Sequence, residues 1–168
     1  MNKIYISNWA KGFNQVSDLN LYLIDNFVKV IKKHTPNIEI VFLTDVATKN
    51  QVSQHVLENT TIKTVLDKYN NHKPVVGALV KLKTISEIED EEVLHLDYDI
   101  VWKYDLNIIL DAFRKSEFDV VYQKTESLMI PYYRMIFYNN KDKRCIFHGY
   151  KRRVAFNAGI SYFKTKEA

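Results

Sequence analysis

Cysteine and glycine are scarce in this 168-residue chain, which has one of the first and four of the second. A single cysteine, Cys145, excludes an internal disulfide and fits a reducing compartment. The glycines, Gly12, Gly77, Gly149 and Gly159, lie too far apart to build a Walker loop or a GxGxxG turn. A phosphate-bearing ligand would therefore have to be held by side chains and a cation. No run approaches the ~20 apolar residues that span a bilayer. The opening Met-Asn-Lys-Ile-Tyr-Ile-Ser lacks the apolar stretch of a signal peptide. The expectation is a single soluble, cytoplasmic domain. A net charge of +4 is too mild to imply a polyanionic partner by itself.

What is present is apolar and aromatic. Hydrophobic residues make up 46% and aromatics 13%, enough for a globular core rather than a disordered chain. Residues 3–7 read as a first strand. Ser17 or Asp18 caps a helix with Leu23, Ile24, Phe27, Val28 and Ile31 at helical spacing; Lys32, Lys33 and His34 suit its end, and Pro36 stops it. Residues 38–43 form a second strand ending in Thr44-Asp45. A weaker helix over 50–58, a strand around 62–66 and a polar connector over 69–74 follow. A helix spans 75–88. After the strand Val93 to Leu96 come a helix over 106–115 and strands over 118–123 and 155–163. Residues 124–153 are less regular. Alternating strands and helices predict an α/β fold with a mostly parallel central sheet flanked by helices. Ligands of such sheets sit beyond the carboxyl ends of strands, where Ser7, Asp45, Asp97 and Asp99 fall.

The stretch of greatest chemical interest is Glu91 to Tyr104. Its apolar strand delivers Asp97 and Asp99, and residues two apart on a strand share a face, so both carboxylates can converge on one cation. Carboxylate oxygens are the ligands Mg²⁺ and Mn²⁺ prefer, usually completed by water and substrate phosphates. The plainer reading of the pair is a solvated strand end or helix cap. His95 alternates with Leu94 and Leu96 and reads as a core or second-layer histidine. His148 and Cys145 lack metal-ligand spacing. Residues 141–153 carry six basic side chains against one acid, yet no nucleic-acid-binding pattern surrounds them. A solvated loop, or a flap over an anionic ligand, is the better reading, with no nucleic acid as partner.

Leu94 to Val101 resembles the DxD strand of the GT-A glycosyltransferases, the nucleotide-diphospho-sugar transferase fold. Phe156-Asn157-Ala158-Gly159-Ile160 resembles the segment that follows it in several of those families, and Ile40 to Asp45 resembles their second strand. The resemblance covers most of the chain. It implies a Rossmann-like GT-A fold and metal-dependent transfer of a sugar from a UDP- or GDP-linked donor to a glycan, lipid or protein acceptor. It implies Mn²⁺ or Mg²⁺ as cofactor, ligated by Asp99, with Asp97 facing the ribose or a metal-bound water. Ser7, Asn8 and Trp9 would line the nucleobase pocket, with Asp45 counted among the donor-binding residues. Lys81 would approach the diphosphate, Asn157 would contact the donor sugar, and Gly159 would keep the backbone close. Trp9 also reads as packing, Lys81 as a surface lysine, Asn157 with Gly159 as a bulge and Asp45 as a cap.

Many GT-A enzymes carry a third metal ligand and the acceptor-binding part well past the Asn-Ala-Gly segment. The resemblance thus implies that residues 1–168 are one GT-A-like domain lacking that C-terminal part. Two other functions compete. One is a non-catalytic nucleotide-sugar-binding remnant. The other is a haloacid-dehalogenase-type phosphatase, with Asp97 as nucleophile and Asp99 as acid/base. The phosphatase reading is disfavoured because that family places its aspartate strand near the start of the domain.

Overall fold

A computed structural model describes residues 2–10, 16–71, 77–118, 120–127, 138–139, 144–145 and 154–164. Gly12, Gly149, His148 and most of the basic stretch 141–153 lie outside the described residues, as does much of the polar connector. Strand β1 is Lys3–Ser7, β2 Glu39–Leu43, β3 Thr61–Lys63, β4 Val93–Leu96, β5 Val120–Ser127 and β8 Val154–Phe163. They form one six-stranded sheet in the order β3-β2-β1-β4-β8-β5. The pairings β2–β3, β1–β2 and β1–β4 are parallel, while β4–β8 and β5–β8 are antiparallel. Two short strands, β6 (Tyr138–Asn139) and β7 (Arg144–Cys145), pair separately. The expected sheet is thus present, mostly parallel, with β8 inserted against the common direction.

Local sequence explains the helices. Helix α1, Asp18–His34, begins where the Ser17 hydroxyl accepts from the Asn20 N–H at 3.2 Å. It buries Ile24, Phe27, Val28 and Ile31, the i, i+3, i+4, i+7 stripe. The helix expected over 50–58 is instead two short ones, α2 (Val46–Lys49) and α3 (Gln54–Asn59). The reason is capping: Asp45 starts one and Ser53 starts the next, each side chain accepting the N–H three residues on, of Thr48 and of Val56. The strand after α3 is likewise short, giving way to a 3₁₀ segment, Val65–Tyr69. Helices α4 (Gly77–Ser86) and α5 (Leu106–Lys115) fall inside or on the expected spans.

Alternation along β1 sorts the core into two layers. Ile4 and Ile6 pack with Ile40, Phe42, Leu94 and Leu96 against α1, α3 and α5. Tyr5 packs on the other face with Val41, Leu43 and Val93 under Ile85 of α4. A third cluster joins Trp9, Leu66, Tyr69 and Val80. No described helix is long and apolar enough to cross a membrane.

At the amino end of β4, Glu92 ties three elements together. Arg114 of α5 donates from Nε to both its oxygens, at 3.0 and 2.9 Å, and the Tyr162 hydroxyl of β8 donates at 2.9 Å. The Arg114 hydrogen bonds hold the Glu92 carboxyl below its ordinary 4.5, while burial first and Glu92 second push the Tyr162 phenol up to about 12. A lowered carboxyl contributes stability that is present above the unfolded pKa and lost as pH falls through the folded one. The pair is about one-third exposed, so this contribution is below ~1 kcal/mol. Thermal melts between pH 7 and pH 3 should therefore show Arg114→Met less stable than wild type at pH 7. The gap should close below about pH 4.5; a gap constant with pH would contradict the assignment.

Candidate functional site

The chain runs β1, β2, β3 toward one edge of the sheet and then returns to place β4 on the other side of β1. That reversal leaves a crevice beyond the carboxyl ends of β1 and β4, the usual ligand position in open α/β sheets. Ser7 ends β1 there with Asn8 just beyond it, and Asp97 follows the last residue of β4. Because β8 runs antiparallel with Leu96 opposite Ile160, its early residues return to the same end. The Gly159 carbonyl accepts the Asp97 N–H at 2.8 Å. Between Asn157 and Ser161, β8 advances four residues while β5 advances two, from Lys124 back to Tyr122. The register shift lies beside Gly159, the residue that meets the Asp97 backbone. The side chain of Asn157 lies outside the described residues.

The Asp-x-Asp geometry differs from strand alternation. Strand β4 stops at Leu96, and residues 97–100 form a turn closed by the Ile100 N–H on the Asp97 carbonyl at 3.2 Å. Shared-face reasoning therefore does not apply to Asp97 and Asp99. The turn is anchored instead by Tyr98, which is buried and donates its hydroxyl to Asn8 Oδ1 at 3.3 Å. With Tyr98 turned inward, Asp99 is exposed while Asp97 stays half-buried. Lys81 of α4 pairs with Asp97 Oδ1. No described donor engages Asp97 Oδ2 or the Asp99 carboxylate.

The neighbouring loop is rigidly tied. Asn8 donates its N–H to the Leu43 carbonyl at 3.2 Å and accepts from Thr44 Oγ1 at 2.8 Å. Asp45 is 1% exposed, and its two oxygens accept the N–H groups of Thr48 at 2.8 Å and Ala10 at 2.7 Å. Asp45 thus caps α2 and holds the β1 loop, leaving neither oxygen open toward a ligand. Trp9 is 5% exposed within the third cluster and donates Nε1–H to Asn70 at 3.3 Å. Its indole is committed to packing and presents no open face for a base. Asn8 is the better placed of the pair: it is buried, and its Nδ2 has no hydrogen-bond partner among the described residues.

Beneath the turn, His95 is 1% exposed with Nε2 at 3.0 Å from Ser7 Oγ and Nδ1 at 4.0 Å from Asp97 Oδ1. Burial, then the nearby Lys81 charge, hold this imidazole well below its ordinary 6.5, so it is neutral. The crevice therefore brings Ser7, Asn8, His95, Asp97 and Lys81 together. His95 is buried, as its alternation with Leu94 and Leu96 led one to expect, whereas Tyr98 and Thr44 were not legible as site features; the only sequence signal for them was their position just past strand ends.

Among the described residues no three His, Cys, Asp or Glu side chains assemble a metal cluster. From the described residues a divalent ion here would take the two carboxylates of Asp97 and Asp99, the rest of its shell coming from water and substrate phosphate. That is how Mg²⁺ ordinarily binds at phosphate sites, and Mn²⁺ accepts the same hard oxygens, so the donor set fits.

No family model matches the sequence, and no curated protein matches it either. Solved structures do. Mouse xyloside xylosyltransferase 1, in its apo form, superposes with a TM-score of 0.56 at 14% identity, over 97% of this chain and 66% of that one. The galactosyltransferase LgtC, in complex with donor and acceptor sugar analogues, gives 0.54 at 15% identity, over 98% of this chain and 58% of that one. This chain thus spans about two thirds or less of the length of either. At such identities the likeness speaks to architecture, and in architecture the chain has the GT-A glycosyltransferase fold.

Proposed function

We propose that this chain binds a nucleotide-diphosphate sugar in the β1–β4 crevice and serves its transfer to an acceptor. The observation that carries the reading is the Asp97 turn at the switch point of a GT-A sheet, with Lys81 against it. Asn8 would meet the nucleobase with its unpartnered Nδ2 and Ser7 would line the same pocket. Asp97 Oδ2 and Asp99 would hold Mn²⁺ or Mg²⁺, which when bound supplies Lewis-acid neutralisation of the departing diphosphate. Lys81, already inside the crevice, adds a positive charge aimed at the same leaving group. Gly159, with no side chain, lets β8 approach the Asp97 backbone, and Asn157 two residues earlier would reach the donor sugar.

The test is a donor-hydrolysis screen of UDP- and GDP-linked sugars with and without Mn²⁺. Sugar release that depends on Mn²⁺ and is lost in Asp97→Asn is the expected result. Nucleotide binding without hydrolysis or transfer would identify a non-catalytic binding module. Hydrolysis of p-nitrophenyl phosphate with no response to nucleotide sugars would instead favour a phosphatase.

A further inference from the structure

We propose that Lys81 makes the crevice select a divalent cation together with its diphosphate, as one complex, over the free cation. The inference rests on reading Asp97 and Asp99 as the carboxylates that face that cation. Lys81 pairs with Asp97 Oδ1, so one of the two carboxylates already carries a positive partner. The main chain on either side of this pair is held. The Asp97 N–H donates to the Gly159 carbonyl at 2.8 Å, and the Asp97 carbonyl accepts the Ile100 N–H at 3.2 Å. Helix α4 is seated by Val80 in the Trp9 cluster and by Ile85 beside Tyr5 and Val93. What can move is the four-carbon stem of Lys81, whose side chain is 20% exposed. The ammonium can therefore leave Oδ1 and still remain in the crevice.

Charge balance gives that movement its direction. Together the Asp97 and Asp99 carboxylates exceed the Lys81 ammonium by a single negative charge. A divalent cation alone overshoots that charge and shares a carboxylate with an ammonium, where like charges repel. Among the described residues no third His, Cys, Asp or Glu joins the pair to outweigh the repulsion. A diphosphate alone meets two carboxylates with Lys81 as the countercharge between them. Cation and diphosphate together nearly cancel, and the phosphate oxygens offer the ammonium a second anionic acceptor. The same lysine thus opposes the free cation and favours the complex. Its two effects have opposite signs, which loss of a merely structural contact would not produce.

The experiment reads Mn²⁺ binding by electron paramagnetic resonance of the free ion, with and without UDP or GDP. Calorimetry reads binding of the same nucleotides with and without Mn²⁺. A neighbouring unit charge biases a charged state by about 10- to 1000-fold, and partial exposure of both groups favours the lower end. Lys81→Met keeps the stem and loses the charge. It should bind Mn²⁺ alone about tenfold more tightly, and nucleotide with Mn²⁺ about tenfold more weakly. Coupling between two ligands is reciprocal, so the tightening of Mn²⁺ by nucleotide and of nucleotide by Mn²⁺ should shrink by one factor. Lys81→Arg should keep the wild-type pattern. A Lys81→Met protein that binds Mn²⁺ alone no more tightly than wild type overturns the inference. So does one that loses Mn²⁺ and nucleotide affinity together, which marks a damaged Asp97 turn. Should Lys81→Met not fold, Lys81→Gln makes the same comparison. Wild-type protein that binds neither nucleotide with Mn²⁺ present sinks the proposed function instead, and the Mn²⁺-alone comparison then decides whether Lys81 opposes the cation.

Discussion

Asp99→Ala is expected to erase nucleotide-dependent stabilisation while leaving the free protein's melting temperature unchanged. Asp99 is exposed on the 97–100 turn, and no described residue engages its carboxylate. Removing an exposed side chain without a structural role normally shifts stability by no more than about 0.5 kcal/mol. Ligand stabilisation is larger. A donor diphosphate with Mn²⁺ at about 100 times its dissociation constant contributes roughly 2.7 kcal/mol. For a chain of this size that is a melting rise of about 5–10 °C. The wild type should show the rise with UDP or GDP plus Mn²⁺, and Asp99→Ala should show none. A full rise in the variant would remove Asp99 from the site. Asp97→Ala is a less clean test, because it also strips Lys81 of its carboxylate partner.

Asp45→Ala should act in the opposite way, as a stability variant. Its buried oxygens accept two backbone N–H groups, one capping α2 and one fastening Ala10 of the β1 loop. Losing a cap costs about 0.5–2 kcal/mol, and stranding a buried donor costs about 1–3 kcal/mol more. The expected loss is about 3 kcal/mol, or a melting temperature about 6–12 °C lower. Asp45→Asn keeps one acceptor oxygen and should recover part of the loss through Thr48. Denaturant melts would check both variants. A loss below about 0.5 kcal/mol in Asp45→Ala would mean that the loop and α2 hold without this carboxylate.

These two aspartates also show how far residue order reaches. Asp45 at a strand end reads equally as ligand-facing or capping, and only the positions of the Thr48 and Ala10 amides distinguish the two. The Asp97–Asp99 pair invites strand logic, yet a hydrogen-bonded turn begins one residue past Leu96 and Tyr98 turns inward. Trp9 looks available for stacking until Leu66, Tyr69 and Val80 close around it. The single helix expected over 50–58 failed for a local reason, a second cap at Ser53.

Residue order by itself determined the succession of strands and helices, the Ser17 start of α1, and the delivery of acidic groups to a strand end. These follow from hydrophobic period and capping, which act over a few neighbouring residues. Tertiary structure alone decided the sheet order, the reversed direction of β8 and the meeting of Ser7, His95, Asp97 and Lys81. Ser7 and His95 are 88 residues apart in the chain, and nothing local to either encodes their contact. Strand pairing set it: burying both faces of the sheet places β4 beside β1, and the polar ends of those strands come together in consequence.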